Sequence, residues 1–276
     1  MKNKNRRNLI NMPILAIALA TSAAHAGVTE STMAPAPVAP AEDVISGILK
    51  LDFNTHFVSY GVDVWRDGSS MSDPTFNPMI ELAFALPADL TFTLGTWWDV
   101  NSKVPSAIGG RIQEVDVWTG LSYTYDKFTV GVTYQAWMYA GTTEDIVDIK
   151  FAYDTLLSPS LTVHNRIDAG ASGGNTGTVL VLGLSHSVEA GPLTISFPVN
   201  IAYFLEDDFH GGTDNGFGFA SVGVAASLPL TPYIGESFGD WALNSGLTYY
   251  FTDDEVIPSN PQDNFLTASL GLSVAF

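Results

Sequence analysis

Apolar and polar side chains alternate with a period of two over most of this chain, from Leu49 to the last residue. Leu49, Leu51, Phe53, Thr55 and Phe57 fall on one side of the first segment, and Lys50, Asp52, Asn54 and His56 on the other. Ile80, Leu82, Phe84 and Leu86 oppose Glu81, Ala83 and Ala85; beyond Pro87-Ala88-Asp89, Leu90, Phe92 and Leu94 oppose Thr91, Thr93 and Gly95. A strand turns successive side chains to opposite faces, so the pattern predicts strands with one dry and one wet face. It recurs at 114–123, 128–134, 147–154, 163–168, 180–185 and 193–203, and again near 217–228, 241–251 and 265–276. About twelve strands result.

The connections alternate in length. Short ones lie at 87–89, 126–127, 156–160, 190–192 and around 229–239; longer Gly- and Asp-rich ones lie at 61–75, 101–111, 140–145, 171–177, 205–216 and 252–263. Strands of about ten residues with short turns on one side and long loops on the other predict an all-β fold, a transmembrane antiparallel up-and-down barrel with both termini periplasmic. A soluble β-sandwich also alternates, but its strands are nearer five or six residues. Charged residues make up 14% of the chain, against roughly a quarter in soluble domains. Trp97, Trp98, Tyr123, Tyr125, Tyr134, Tyr139, Tyr249, Tyr250 and Phe251 cluster toward strand ends, as interfacial girdles do.

Residues 1–26 read as a secretory signal peptide. Lys2, Lys4, Arg6 and Arg7 form a basic start, Met12 to Ala20 an apolar stretch, and Ala24-His25-Ala26 a cleavage site. The stretch is too short to span a bilayer as a helix. Residues 27–44, with Pro35, Pro37 and Pro40, read as an Ala/Pro-rich periplasmic tether. The barrel then occupies 45–276.

Losing the signal leaves seven Lys and Arg against 29 Asp and Glu, so the net charge moves from −18 to −22. That excludes nucleic acid as a partner, which needs a basic surface. The absence of cysteine excludes disulfides, thiolate metal sites, a cysteine nucleophile and a lipidated N-terminal cysteine. No cofactor is expected.

The final segment, with Leu266, Ala268, Leu270, Leu272, Val274 and the terminal Phe276 alternating to the end, resembles the closing strand of bacterial outer-membrane β-barrel proteins. The resemblance implies that the barrel-assembly machinery reads Phe276, Val274, Leu272 and Leu270. The stretch FVSYGVDVWRDGSSMSDPTFNPMIELAFALP, followed by LTFTLGTWWDVN, resembles the opening hairpin of a poorly characterised porin subgroup of Gram-negative bacteria. That resemblance covers about 55 residues, and Tyr60-Gly61 stands where the subgroup has Arg-Gly. It implies a porin-like channel in the outer membrane, in contact with membrane lipids and lipopolysaccharide, that passes small hydrophilic solutes passively.

Alternation assigns Asp52, Glu81, Asp99, Glu114, Asp116, Asp148, Asp154 and Asp168 to the lumen with Lys50, Lys150, Arg166 and His164. Acids outnumber bases, so an open pore is expected to prefer cations. Matching strands through their turns puts Lys150 near Arg166 and Asp148 near Asp168, with diagonal ion pairs favoured over facing like charges. All these charges fall on the first seven strands; the last five turn small neutral residues inward, such as Gly183, Ser185, Ser221 and Gly246. A barrel of twelve strands lies between the filled eight and the open sixteen, so an open and a plugged lumen are both compatible with it.

Two loop clusters, Glu206-Asp207-Asp208 with His210 and Asp214, and Asp253-Asp254-Glu255 with Asp263, read as solvated surface; their spacing matches no EF-hand loop. An enzyme is not expected. His186 and Ser187 are the nearest hydrolase candidates, with Asn165 on the neighbouring strand, but adjacent strand residues face opposite ways and the His-x-Ser-Asn motif of outer-membrane phospholipases is absent. The alternatives to a channel are a closed structural barrel and, behind it, a lipid-modifying enzyme. Solute and oligomeric state are left open.

Overall fold

The structure, a computed structural model, describes residues 45–66, 71–235 and 239–276. The signal peptide and tether read from residues 1–44 lie outside the described residues. Twelve long strands close into one antiparallel barrel: β1 (Ile45–Asn54), β4 (Thr75–Leu86), β5 (Leu90–Val100), β6 (Ile112–Tyr125), β7 (Phe128–Tyr139), β8 (Thr142–Tyr153), β9 (Ser160–Asp168), β10 (Gly177–Ala190), β11 (Leu193–Phe204), β12 (Gly216–Pro229), β13 (Asp240–Thr252) and β14 (Asn264–Ala275). A two-residue pair, β2 (Val58–Ser59) and β3 (Val62–Asp63), stands apart from the wall. Each wall strand pairs with its sequence neighbour, and β1 closes on β14. Strands of about 12 residues tilted by ~40° cover about 30 Å, the thickness of a hydrocarbon core.

The predicted faces are the observed ones over most of the wall. Leu94, Leu121, Val132, Leu182, Val222, Leu247 and Leu270 stay exposed on the outside, while Thr93, Gly120, Gly183 and Ser221 between them face inward. Ile45, the first described residue, and Phe276 lie at the rim that carries the short turns. There Phe276 exchanges two backbone hydrogen bonds with Gly47. A Cβ on Gly47 would come within 2.5 Å of the Phe276 ring, so the terminal aromatic lies directly on the backbone of the strand it closes against. Leu270 and Leu272 point outward, whereas Val274 is buried where Gly239 crosses it.

Four expectations are corrected. The first strand ends at Asn54, and Thr55, His56 and Phe57, expected to continue its alternation, are all buried within the barrel. Residues 140–145 form no loop. Ala140 and Gly141, with φ of 47° and 80°, make a two-residue turn of the type that fits strand twist, and Thr142–Asp145 belong to β8. The connection at 230–239 carries a single helical turn, α1 (Thr231–Ile234). The β8–β9 register also differs: Asp148 faces His164, Lys150 faces Thr162, and Ile146 faces Arg166. Lys150 is therefore not beside Arg166, nor Asp148 beside Asp168. The turn starts at 154 rather than at the expected 156, so Asp148 meets His164 in place of Asp168, and the bulge at Asp145/Ile146 returns the pairing by one residue, so that Asp145 meets Asp168.

Candidate functional site

The loop after β1 folds into the barrel. Its β2–β3 hairpin turns at Tyr60-Gly61, both with positive φ, and a Cβ on Gly61 would meet Ile257 and Phe219 at 2.7 Å. The tip thus requires glycine, for both its backbone conformation and the closeness of the wall. Phe57 packs on Trp97 of β5 with ring centroids 5.2 Å apart. Tyr60 stacks on His164 of β9 at 3.8 Å and reaches Trp137 of β7 at 6.3 Å. Trp65 donates to Asp99 at 2.8 Å, and Thr55 Oγ1 accepts from the backbone of Ala268 on β14. These contacts tie the loop to β5, β7, β9 and β14, with β12 close beside its tip.

Two of the other long loops, 205–215 and 253–263, clamp this plug. Asn260 donates to the Gly61 carbonyl and accepts from the Asp63 amide, each at 2.8 Å. His210 hydrogen-bonds the Tyr60 carbonyl at 3.1 Å, and Phe209 and Phe204 pack around it. Burial, and secondarily the Arg166 charge, push the His210 pKa down to about 3, so its imidazole is neutral. The loop acids read as solvated surface in part hold loops together: Glu206 accepts from the Thr178 amide, Asp208 from Asn175, and Asp253 from the amides of Glu255 and Val256.

Under the plug the wall is strongly polar. Arg166 pairs with Glu144, donates to the carbonyls of Phe209 at 2.6 Å and Asn175 at 3.2 Å, and holds its guanidinium 3.7 Å from the Phe209 ring centre. Tyr139 donates to Glu144. Asp148 accepts from Gln135 at 2.6 Å and hydrogen-bonds His164 Nδ1 at 2.7 Å. Asp99 accepts from Trp65, Asn77 and Asn101, and Glu81 from Trp118 at 2.7 Å. Glu114 and Asp116 lie in the same zone, both buried.

Toward the short turns the inward side chains are less deeply buried. Lys50, Asp52, Lys150, Gly131, Ala225 and Gly246 face the lumen and are only half-buried. Of the residues assigned to the lumen by alternation, two lie elsewhere: Asp154 sits in the turn after β8, and Asp168 is exposed at the end of β9, where it accepts from the Gly170 amide. The hydrolase candidates do not converge. His186 bonds the Leu156 carbonyl on the outside, Ser187 bonds Ser196, and Asn165 bonds the Val147 carbonyl.

Sequence reasoning missed Glu144, which it placed in a loop, and Trp137, to which it gave no role, and it missed the inward direction of Trp97, Tyr139 and Tyr250, which it read as girdle residues. Trp97 shares the parity of Thr93 and Asp99, and that signal was available; Trp98 is the one that faces out. The aromatic content of 57–65, unusual for a polar loop, was the other unused signal.

No protein-family model and no curated protein sequence matches the chain. Among solved structures, an outer-membrane channel from Pseudomonas putida F1 matches with a TM-score of 0.51 at 13% identity, covering 87% of this chain and 100% of that one. The NanC porin matches at 0.47 and 11% identity over 82% and 98% of the two chains. The KdgM porin, solved in complex with disordered oligogalacturonate, matches at 0.46 and 9% identity over 84% and 99%. This chain has the fold of an outer-membrane channel barrel.

Proposed function

We propose that the protein is a gated outer-membrane channel for small hydrophilic solutes, closed at the loop side by its own first loop and preferring cations when open. Lumen occlusion by an inserted loop rather than by the wall carries this reading: the plug is held by aromatic stacking and a few hydrogen bonds, all reversible. Cation preference is supported by the wall, where Asp52, Glu81, Asp99, Glu114, Asp116, Glu144 and Asp148 face Lys50, Lys150 and Arg166. Rings of acid raise the local cation concentration. In this reading residues 1–26 direct export, 27–44 tether the barrel in the periplasm, and the assembly machinery reads the strand that ends in Phe276. Lipopolysaccharide and lipid surround the outer face.

The dense packing of Phe57, Tyr60, Trp97 and Trp137 favours one second reading, a permanently closed structural barrel. Planar-bilayer recording separates the two. Refolded residues 27–276 with 57–66 replaced by a short Gly/Ser linker are expected to conduct in discrete steps, with a cation-selective reversal potential across a KCl gradient. A folded but silent barrel would establish the structural reading, and an anion-selective potential would remove the cation preference.

A further inference from the structure

The acids beneath the plug are not equally provided for. Glu144 has Arg166 and Tyr139, Asp148 has His164 and Gln135, and Asp99 has three donors. Glu114 and Asp116 have none of these. Two residues apart on β6, they project to the same side; Asp116 is 0% exposed and Glu114 7%. Among the described residues no donor other than the pair's own carboxyls reaches either oxygen of Asp116 or Oε1 of Glu114. Their carboxyls face each other, with Asp99 and Glu144 near enough to add repulsion. Buried carboxylates without a cation cost several kcal/mol each unless the pair holds a proton between them; a positive group from outside the chain can take that proton's place.

The surroundings specify its kind. The register sets Trp97 on one side of Asp116 and Trp137 on the other, and both indoles are buried. Aromatic faces beside carboxylates suit a guanidinium or ammonium, which donates charge-assisted hydrogen bonds to the acids and gains cation–π attraction from the rings. A metal ion is less suited, since among the described residues no group of three or more His, Asp or Glu has metal-holding geometry. The barrel already accommodates one guanidinium in this way, where Arg166 lies over Phe209 and pairs with Glu144. The faces of Trp97 and Trp137 are at present taken by Phe57 and Tyr60 of the plug.

We propose that Glu114 and Asp116, walled by Trp97 and Trp137, form a subsite for a solute bearing a guanidinium or primary ammonium group, engaged when the first loop withdraws. The inference rests on the channel reading and names its solute class. Solute and plug compete for the same indole faces, so the solute favours the open state through its differential affinity.

The test uses agmatine as the probe, titrated against refolded residues 27–276 by calorimetry and indole fluorescence, in parallel with the 57–66 replacement barrel. Saturable binding is expected, tighter in the replacement barrel and weakened at least tenfold by Glu114→Gln or Asp116→Asn. Both substitutions relieve repulsion and so preserve folding, which heat-modifiable gel mobility checks. No binding to the replacement barrel, binding unchanged in the double substitution, or an equal response to sodium ions alone would overturn the subsite. KCl conductance of the same preparations reports on the channel separately: binding without conductance rejects the channel and keeps the subsite, and conductance without binding does the reverse.

Discussion

Mild acid should weaken the hold of His210 on the plug, and the burial of its ring sets the size of that contribution. Its ring lies among Phe204 and Phe209 and bonds the Tyr60 carbonyl; the charged or titratable groups around it are Arg166 and His164 of β9. In the closed state its pKa is pushed down to about 3, and on release it returns to the ordinary 6.5. A histidine with a lowered pKa takes up its proton only after release. Stability of the closed state is therefore full above pH 6.5, falls as pH drops below 6.5, and levels off near pH 3. At pH 5 the loss is 1.5 pKa units at 1.36 kcal/mol each, about 2 kcal/mol, or ~30-fold in the released population. Hydrogen exchange of 57–66 and 205–215 at pH 7 and 5, corrected for intrinsic rates, measures this directly. His210→Gln should abolish the pH difference. An unchanged pH response in that variant, or none in the wild type, would refute the reasoning.

Arg166→Met leaves Glu144 buried without its cation and should cost about 3 kcal/mol in the unfolding transition; the double variant with Glu144→Gln should recover most of the loss. Asp148→Asn removes charge-assisted bonds to His164 and Gln135 and should destabilise the plug by about 2 kcal/mol, read as faster proteolysis within 57–66 while the wall stays protected. Gly47→Val should displace the Phe276 ring from the closing seam and lower the yield of heat-modifiable, membrane-inserted barrel.

The wall was legible because period two assigns faces without knowledge of any partner strand. Leu94, Val132 and Leu247 point to lipid as the alternation requires. Legibility fails where the lumen is dry. Ile146, Val179, Val181 and Phe204 are apolar yet face inward, because they join one buried cluster with loop residues such as Phe57, Tyr60 and Phe209, and there the polar-in rule inverts. Thr142–Asp145 looked like loop for the related reason that Glu144 is one of the few acids with a buried guanidinium opposite. Register was the other gap. Parity places Asp148 and Arg166 on one face, but only the position of the 154–159 turn decides that Asp148 meets His164. The destination of Phe57 and Tyr60 could not be read, since a loop has no periodicity to disclose which way it turns.

The central claim is that the first loop is a reversible plug, and the chain's lack of cysteine allows a direct test. Tyr60→Cys with His164→Cys, positions whose rings stack in the closed state, can be joined by a disulfide or a short dithiol linker in refolded residues 27–276. Single-channel recording should find the joined form silent and the reduced form opening in discrete steps, again closing on reoxidation. Equal conductance in the joined and reduced states would contradict the account.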